Sequence, residues 1–298
     1  MEHLRFDASH GVLFAATSSG VFSTWDPRSG RRISNWANPD GTRVNGIDIG
    51  PAGRVGWVDD DSVYYGERPD RLDQCVRVND EYFPSTITML PSGSAITTVD
   101  DLLVALSVTG ETRWQAEVRI LQVVYCPRHR ELFTIVEGDE RNEVRVFDEF
   151  TGRSKTLKIE GSVASIAVSS DGARIASCNE KGQLQILDRR GRLVSRLQRS
   201  ETSRTQHQLL FAESDRMLIL SGESQLEFFD CSGNTLVERG SISCRERSIH
   251  SMQLSEEHAV LFLGCRVMRR EGDSGIQVLR WEADDGRRLS HQHQDLDR

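Results

Sequence analysis

Apolar and polar residues alternate in short runs along most of the chain, and the runs end at acidic or glycine-containing positions. Residues 145–152, Arg-Val-Phe-Asp-Glu-Phe-Thr-Gly, show the pattern. Alternation with a period of two predicts a half-buried β-strand, and the acidic residue followed by glycine predicts a tight turn. No long stretch has the 3.6-residue period of an amphipathic helix. The pattern therefore predicts an all-β protein.

The same strand-and-turn phrase recurs at a nearly constant spacing. Steps of 40, 41, 41, 40, 42 and 51 residues separate the equivalent positions Asp26, Gly66, Ser107, Asp148, Asp188, Asp230 and Trp281. A period near 40 residues with four strands per period is typical of a β-propeller blade. The sequence thus predicts a seven-bladed β-propeller of four-stranded antiparallel blades.

The repeats predict a single domain, because propeller blades bury their faces only against neighbouring blades. We expect a short tail at 293–298 after the last blade. The expected blades span about residues 1–40, 41–80, 81–118, 119–161, 162–201, 202–244 and 245–292.

Within each repeat we name the four strands a to d in chain order. The b strands are the most apolar, as in 217–220 and 260–263, which predicts burial on both faces. The d strands are half polar, as in 113–117, which suits an outer edge protected by charge. The chain begins on an a strand and ends on a d strand, so we expect each blade to be complete in sequence order. Blades 1 and 7 should then meet by packing their faces together.

Four dipeptides carry a resemblance to a known family: Trp25-Asp26, Phe147-Asp148, Leu187-Asp188 and Phe229-Asp230. With the Ser-Asp-Gly turn at 170–172, the repeats resemble WD40 repeats across essentially the whole chain. The Gly-His dipeptide that opens many WD40 repeats is absent, so the sequence lacks the histidine of that family's Asp-His-Ser/Thr-Trp network. Repeat three, at 105–114, also resembles a quinoprotein (PQQ-type) propeller repeat. The WD40 resemblance implies a non-catalytic protein–protein interaction scaffold or adaptor.

Composition narrows the classes of function. A net charge of −8 argues against direct nucleic-acid binding, which needs a basic field, and fits a soluble protein of the cytoplasm. The charged N-terminal residues predict no signal peptide, and no run approaches the length of a membrane helix. Six cysteines without Cys-x-x-Cys spacing predict neither a zinc site nor a disulfide framework, and favour a reducing compartment.

We expect no catalytic residue, metal or cofactor. Gly272–Gly275 matches most of a protease nucleophile motif but lacks its framework, and the acidic runs 59–61 and 100–101 lack the alternation and glycine of a calcium loop. We expect both acidic runs to be solvated b–c turns. The alternative is a propeller enzyme, either a metal-dependent hydrolase or lactonase or a quinoprotein-like enzyme, with its site at the central tunnel. The polar residues that could imitate such a metal site are Asn45, Asp48, Glu81 and Gln122.

In a blade of antiparallel strands, the b–c and d–a loops lie at one edge of the sheet and the a–b and c–d loops at the other. We expect partners to bind the b–c edge, because the longest departure from the period lies in the b–c loop of repeat seven, 265–275. This edge should be basic at blade 7 and acidic at blades 2 and 3. The predicted contact residues are Arg245, Arg247, Arg266, Arg269, Arg270, Asp60, Asp61, Asp100 and Asp101.

Overall fold

In the computed structural model, the described residues form 28 β-strands in seven antiparallel sheets, and the strands of each sheet follow one another in sequence order. No α-helix occurs among the described residues. The structure describes residues 3–7, 9–17, 19–38, 41–50, 53–68, 71–77, 84–199, 208–244, 247–255, 260–267, 274–281 and 289–290.

The chain forms two compact units, Met1–Gln115 with Glu246–Arg298 and Ala116–Arg245. The first unit contains blades 1, 2, 3 and 7, and the second contains blades 4, 5 and 6. In each unit, the a strands of consecutive blades contact one another.

The strands of the first unit are given by blade. Blade 1 consists of β1 (His3–Asp7), β2 (Val12–Ala16), β3 (Val21–Trp25) and β4 (Arg32–Ala37). Blade 2 consists of β5 (Gly46–Ile49), β6 (Val55–Val58), β7 (Ser62–Arg68) and β8 (Arg71–Arg77). Blade 3 consists of β9 (Pro84–Met89), β10 (Ala95–Val99), β11 (Leu102–Leu106) and β12 (Thr112–Glu117). Blade 7 consists of β25 (Arg247–Ser255), β26 (Val260–Val267), β27 (Ser274–Trp281) and β28 (Leu289–Ser290).

The strands of the second unit are given in the same way. Blade 4 consists of β13 (Ile120–Cys126), β14 (Glu131–Val136), β15 (Glu143–Asp148) and β16 (Ser154–Leu157). Blade 5 consists of β17 (Val163–Val168), β18 (Arg174–Asn179), β19 (Gln183–Asp188) and β20 (Leu193–Gln198). Blade 6 consists of β21 (Gln208–Ala212), β22 (Met217–Ser221), β23 (Gln225–Asp230) and β24 (Val237–Ser243).

The prediction of β-propeller blades with four antiparallel strands is confirmed, but within the described residues six blades are complete rather than seven. In blade 7, the described outer strand β28 is only two residues long and pairs through Arg280 with Ser290 and Trp281 with Leu289. The expected strand at 288–292, Arg-Leu-Ser-His-Gln, has a single apolar residue. It therefore offers little apolar surface to hold an outer strand against the sheet.

The core of the first unit lies between the faces of neighbouring blades. Phe22 of blade 1 and Trp57 of blade 2 are buried edge to face, with ring centroids 5.1 Å apart. Blades 1 and 7 pack in the same way, since Phe6 stacks on Phe262 with centroids 6.0 Å apart and Leu4 lies in the same cluster. This contact confirms that blades 1 and 7 meet through their faces.

The second unit repeats this arrangement with a mixture of aliphatic residues and phenylalanine. Phe133 and Ile135 of blade 4 pack on Ile166 of blade 5, and the next interface joins Ile186 of blade 5 to Phe229 of blade 6. The b strands are buried along almost their whole length, whereas outer strands such as β20 alternate between exposed and half-buried positions. These patterns agree with the radial positions predicted from composition.

Candidate interaction surface at the b–c edge

The b–c edge of the first unit is built around one buried carboxylate. Asp59 lies in the turn between β6 and β7 and is fully buried. Its Oδ1 accepts hydrogen bonds from the backbone N–H groups of Asp61 at 3.2 Å and Ser62 at 2.9 Å. Its Oδ2 accepts from the Thr42 hydroxyl and from Asn38 Nδ2, the latter at 3.4 Å. The expectation that the whole acidic run is solvated is wrong for Asp59, because its four donors offset the cost of removing a charge from water.

Thr42 and Asn38 explain how blade 2 fixes this turn without the Gly-His dipeptide. Both residues precede β5 in the d–a connection, and Asn38 Nδ2 also donates to Thr42 Oγ1 at 2.8 Å. A hydroxyl and an amide thus supply the donors to the acid of the b–c turn. Gly20 lets blade 1 approach the same connection, because a Cβ there would lie 2.5 Å from the Thr42 carbonyl oxygen.

The next two acids of the run point away from this buried centre. Asp60 is exposed, and Asn45 Nδ2 donates to its Oδ1 at 3.2 Å. Asp61 is half-buried and accepts from the Ser62 hydroxyl at 2.9 Å. The Asn45 amide also donates to the carbonyl of Pro84, the first residue of β9, at 3.2 Å. One side chain therefore ties the acidic turn of blade 2 to blade 3.

The second acidic pair occupies the b–c turn of blade 3. Asp100 and Asp101 form a two-residue hairpin turn between β10 and β11, and both are exposed. Asp100 has a φ of 48°, in the left-handed region that Asp tolerates better than most residues. The preceding residue Val99 pairs with Pro84, to which Asn45 is bonded. The structure thus brings the two predicted acidic pairs together on adjacent blades.

The predicted basic half of the surface is placed only in part. Arg247 and Arg266 belong to strands β25 and β26 instead of to loops, because the ladder continues through the pairs Arg247 with Val267 and Ser248 with Arg266. Strand β27 likewise takes up Ser274 and Gly275 of the expected long loop. Arg245, Arg269 and Arg270 lie outside the described residues.

The polar a-strand residues considered for a metal site hydrogen-bond to neighbouring blades. In the first unit, Asp48 accepts from Arg5 Nε and from the backbone N–H of Met89, both at 2.8 Å. In the second unit, Gln122 donates to the carbonyl of Ile166 and accepts from its N–H, both at 3.0 Å. Glu81 lies outside the described residues. Across the described ranges, no group of three or more His, Cys, Asp or Glu side chains is placed to hold a metal ion.

The aspartates at the WD-like positions hold the c–d turns. Asp148 Oδ1 accepts from the backbone N–H groups of Phe150 and Thr151, and Asp188 Oδ1 accepts from those of Arg190 and Arg192, at 2.8 to 3.1 Å. The Thr151 hydroxyl above all lowers the pKa of Asp148, and the Arg192 amide above all lowers the pKa of Asp188. The repeating acid is therefore a turn-forming residue in these blades.

Sequence reasoning missed an arginine-rich surface at the a–b edge of the second unit, which includes Arg128, Arg130 and Arg190. The only sequence signal for it is the run Arg189-Arg190-Gly191-Arg192 in one c–d turn.

No family model matches the chain, and no curated protein matches it. Among the described residues, no helix is long and apolar enough to cross a membrane.

Proposed function

We propose that the protein is a non-catalytic, WD40-like interaction scaffold with seven blades, of which the seventh has a shortened outer strand. It binds a partner protein through the b–c edge. The four-stranded blades support this proposal because they are rigid elements that display short loops, and loops on a rigid scaffold are where such proteins carry specificity. None of the six cysteines is in a disulfide and five are buried, in keeping with our proposal of a cytoplasmic location.

One observation carries the proposal: the acidic pairs Asp60-Asp61 and Asp100-Asp101 stand next to each other on adjacent blades, above the buried Asp59. Because Asp59 fixes the turn of blade 2 and Asn45 binds Asp60, a partner would meet carboxylates of that turn that are already ordered, which reduces the entropy lost on binding. Four carboxylates at one edge favour a basic segment of the partner and set its orientation and association rate. Arg269 and Arg270, predicted to meet acidic groups of the partner, stay a prediction.

The test is affinity capture from the native source with the full chain as bait, followed by mass spectrometry. We expect the wild-type chain to retain one or more partners that the double variant Asp60→Lys/Asp61→Lys loses. Glu238→Lys is the matched control, because Glu238 is an exposed acid on the outer strand β24. Partners that survive the double substitution but are lost with the control would contradict the proposed surface.

The alternative, a propeller enzyme with a tunnel site, is tested separately by metal analysis of the purified chain and a thermal-shift panel of small ligands. A bound stoichiometric metal, or a ligand that raises the melting temperature of the wild-type chain but not of an Asp48→Asn variant, would favour the enzyme over the scaffold. Asp48 is the a-strand carboxylate on which such a site would depend, and its present partners are Arg5 and Met89.

A further inference from the structure

The a–b edge of the second unit carries positive charge in a chain whose net charge is −8. The a–b and c–d turns of blades 4 and 5, residues 127–131, 148–155, 169–174 and 188–192, contain eight Arg or Lys and five Asp or Glu. The excess of basic over acidic residues is small. Its effect on a partner depends on which of these side chains are exposed to solvent.

The acidic groups of these turns are bonded within the protein. Asp188 accepts two backbone N–H groups of its own turn, from Arg190 and Arg192. Glu149 is only 3% exposed and accepts the hydroxyl of Tyr125 at 2.6 Å. The oxygens of Asp188 and Glu149 are thus occupied by donors of the protein itself, and Asp188 is also ion-paired with Arg192.

Four of the eight basic groups, Lys155, Arg174, Arg189 and Arg192, are also bonded within the protein, and the other four face solvent. Arg128, Arg153 and Arg190 are all exposed, and none of them forms an ion pair with a described residue. Arg130 is exposed as well, and its guanidinium lies 5.2 Å from the centroid of the Phe150 ring. Partially stacked arginine keeps its hydrogen-bond donors available for a carboxylate.

These turns form one continuous surface within the unit. The backbone N–H of Glu149 donates to the carbonyl of Arg130 at 3.0 Å, which joins the two turns of blade 4. Arg189 Nη2 lies 3.0 Å from Glu131 Oε2, which joins the c–d turn of blade 5 to blade 4. The a–b turns of blades 4 and 5 also touch at Gly172. A Cβ on this residue would lie 2.4 Å from the His129 ring, so only glycine allows the two turns to pack this closely.

Two large apolar side chains accompany the arginines. Phe150 in the c–d turn of blade 4 is 43% exposed, and Leu193 at the start of β20 is 48% exposed. An exposed apolar residue alone is ordinary, but a pair of them among unpaired cations matches the composition of protein-binding surfaces, where aromatic residues and Arg are enriched. We call the set the arginine edge: Arg128, Arg130, Phe150, Arg153, Arg190 and Leu193.

We propose that the arginine edge is a second docking surface, and that its occupant is an acidic segment of a partner protein in which Asp or Glu residues alternate with large apolar ones. The guanidinium groups receive the carboxylates, and Phe150 and Leu193 receive the apolar side chains. This surface is distinct from the b–c edge and selects the opposite charge.

A nucleic acid is the competing ligand for any arginine cluster. Affinity for a phosphate backbone depends on the summed charge that displaces counterions, and the whole chain repels a polyanion. An acidic peptide needs only local pairing with a few guanidinium groups, and it can use the apolar residues that a phosphate backbone leaves uncovered. The balance of charge and apolar area therefore favours the peptide.

The experiment measures fluorescence anisotropy of a labelled synthetic peptide of alternating Glu and Leu or Phe, with the full chain at low salt. We expect saturable binding that falls about ten-fold in Arg190→Glu, because a like charge replaces an attractive one. Lys181→Glu is the matched control, since Lys181 is exposed in the b–c turn of blade 5 and makes the same change of charge. That variant should bind as the wild type does.

Three further probes separate the possible ligands. A peptide with Gln in place of Glu, a peptide with Ala in place of Leu and Phe, and an oligothymidylate should each bind more weakly than the first peptide. The proposal is overturned if the first peptide does not bind at millimolar concentration, if Lys181→Glu weakens binding as much as Arg190→Glu, or if any of the three probes binds as tightly. Asp60→Lys/Asp61→Lys should leave peptide binding intact. Loss of peptide binding in Arg190→Glu therefore tests the arginine edge separately from the proposed function of the b–c edge.

Discussion

The b–c turn at Asp59 in the first unit and the c–d turn at Asp188 in the second are built by the same device and carry opposite charge. In each, the first aspartate accepts backbone N–H groups of the turn, and the following residues display their side chains. The displayed residues are Asp60 and Asp61 in one turn and Arg190 in the other, where Arg189 pairs with Glu131. One hydrogen-bonded acid therefore stabilises the turn, and the side chains that follow it determine the charge that a partner would meet.

The two turns differ in how deeply that acid is buried, and removing it should separate them. Asp59→Ala leaves the Ser62 N–H and the Thr42 hydroxyl without their acceptor in a buried site, whereas Asn38 Nδ2 keeps its bond to Thr42 Oγ1. Because unsatisfied buried groups destabilise strongly, we expect a loss of about 3 kcal/mol in the free energy of unfolding, measured by urea denaturation. Asp60→Ala, the exposed control, should change it by less than about 0.5 kcal/mol. Equal effects would mean that Asp59 is not the anchor of the b–c edge.

The solvated turn should be more tolerant. In Asp188→Ala the N–H groups of Arg190 and Arg192 can bond to water, so we expect a loss of only about 1 kcal/mol in the same measurement. Arg190→Ala, which keeps the acid, is the matched control and should unfold as the wild type does. If Asp188→Ala destabilised the chain as much as Asp59→Ala, burial would not be what distinguishes the two turns.

Acid should weaken the c–d turns as a group. Hydrogen bonds hold the pKa of Asp26, Asp148, Asp188 and Asp230 below the ordinary value, led by the Arg239 side chain for Asp230. A depressed pKa in the folded state gives stability that is present above the unfolded pKa of about 3.9 and is lost as the pH falls through the folded value. We expect the free energy of unfolding to drop below about pH 4. Asp188→Asn should flatten that drop, and an unchanged slope would argue against this turn as a contributor.

The smallest expected effect is that of charge reversal on the stability of either surface. Asp60→Lys and Arg190→Glu change exposed side chains, so each should alter the free energy of unfolding by no more than about 0.5 kcal/mol. Asp61→Lys also removes the acceptor of the Ser62 hydroxyl, so we expect it to cost about 1 kcal/mol. Differential scanning calorimetry beside the binding assays provides the check. A large fall in the melting temperature of a variant would mean that the variant loses binding because it unfolds.

Most of the strand framework could be predicted from the sequence, because period-two alternation and turn residues agree there. Alternation in repeat three predicts strands at 95–99, 102–106 and 112–117, and the structure has them at Ala95–Val99, Leu102–Leu106 and Thr112–Glu117. In repeat six the pattern predicts an outer strand at 235–239, but the strand is found at Val237–Ser243. Outer strands bury one face at most, so their alternation of apolar and polar residues is weak. The pairing of β23 with β24 also contains a register shift between Phe228 and Phe229, which the sequence pattern does not show.

The candidate surfaces were predictable to different degrees. Asp60, Asp61, Asp100 and Asp101 stand in b–c turns as expected, since a turn between two predicted strands fixes their place. The bond from Thr42 to Asp59 was not predictable, because it joins residues 17 positions apart, one before the first strand of blade 2 and one in its b–c turn. The arginine edge draws Arg128, Arg153 and Arg190 from separate turns, and only the stacking of blades 4 and 5 makes them neighbours.

The hydrogen bond that Gln122 accepts from a neighbouring blade has a consequence for backbone hydrogen exchange. Strand β17 is the edge of its sheet, and the Ile166 N–H on that edge donates to Gln122 of the preceding blade. Its hydrogen should exchange with solvent deuterium only when the two blades part, and the same holds for the Met89 N–H on Asp48 in the first unit. The exchange rates of these two amides therefore report how often neighbouring blades separate. They do so independently of the opening of hydrogen bonds within each sheet.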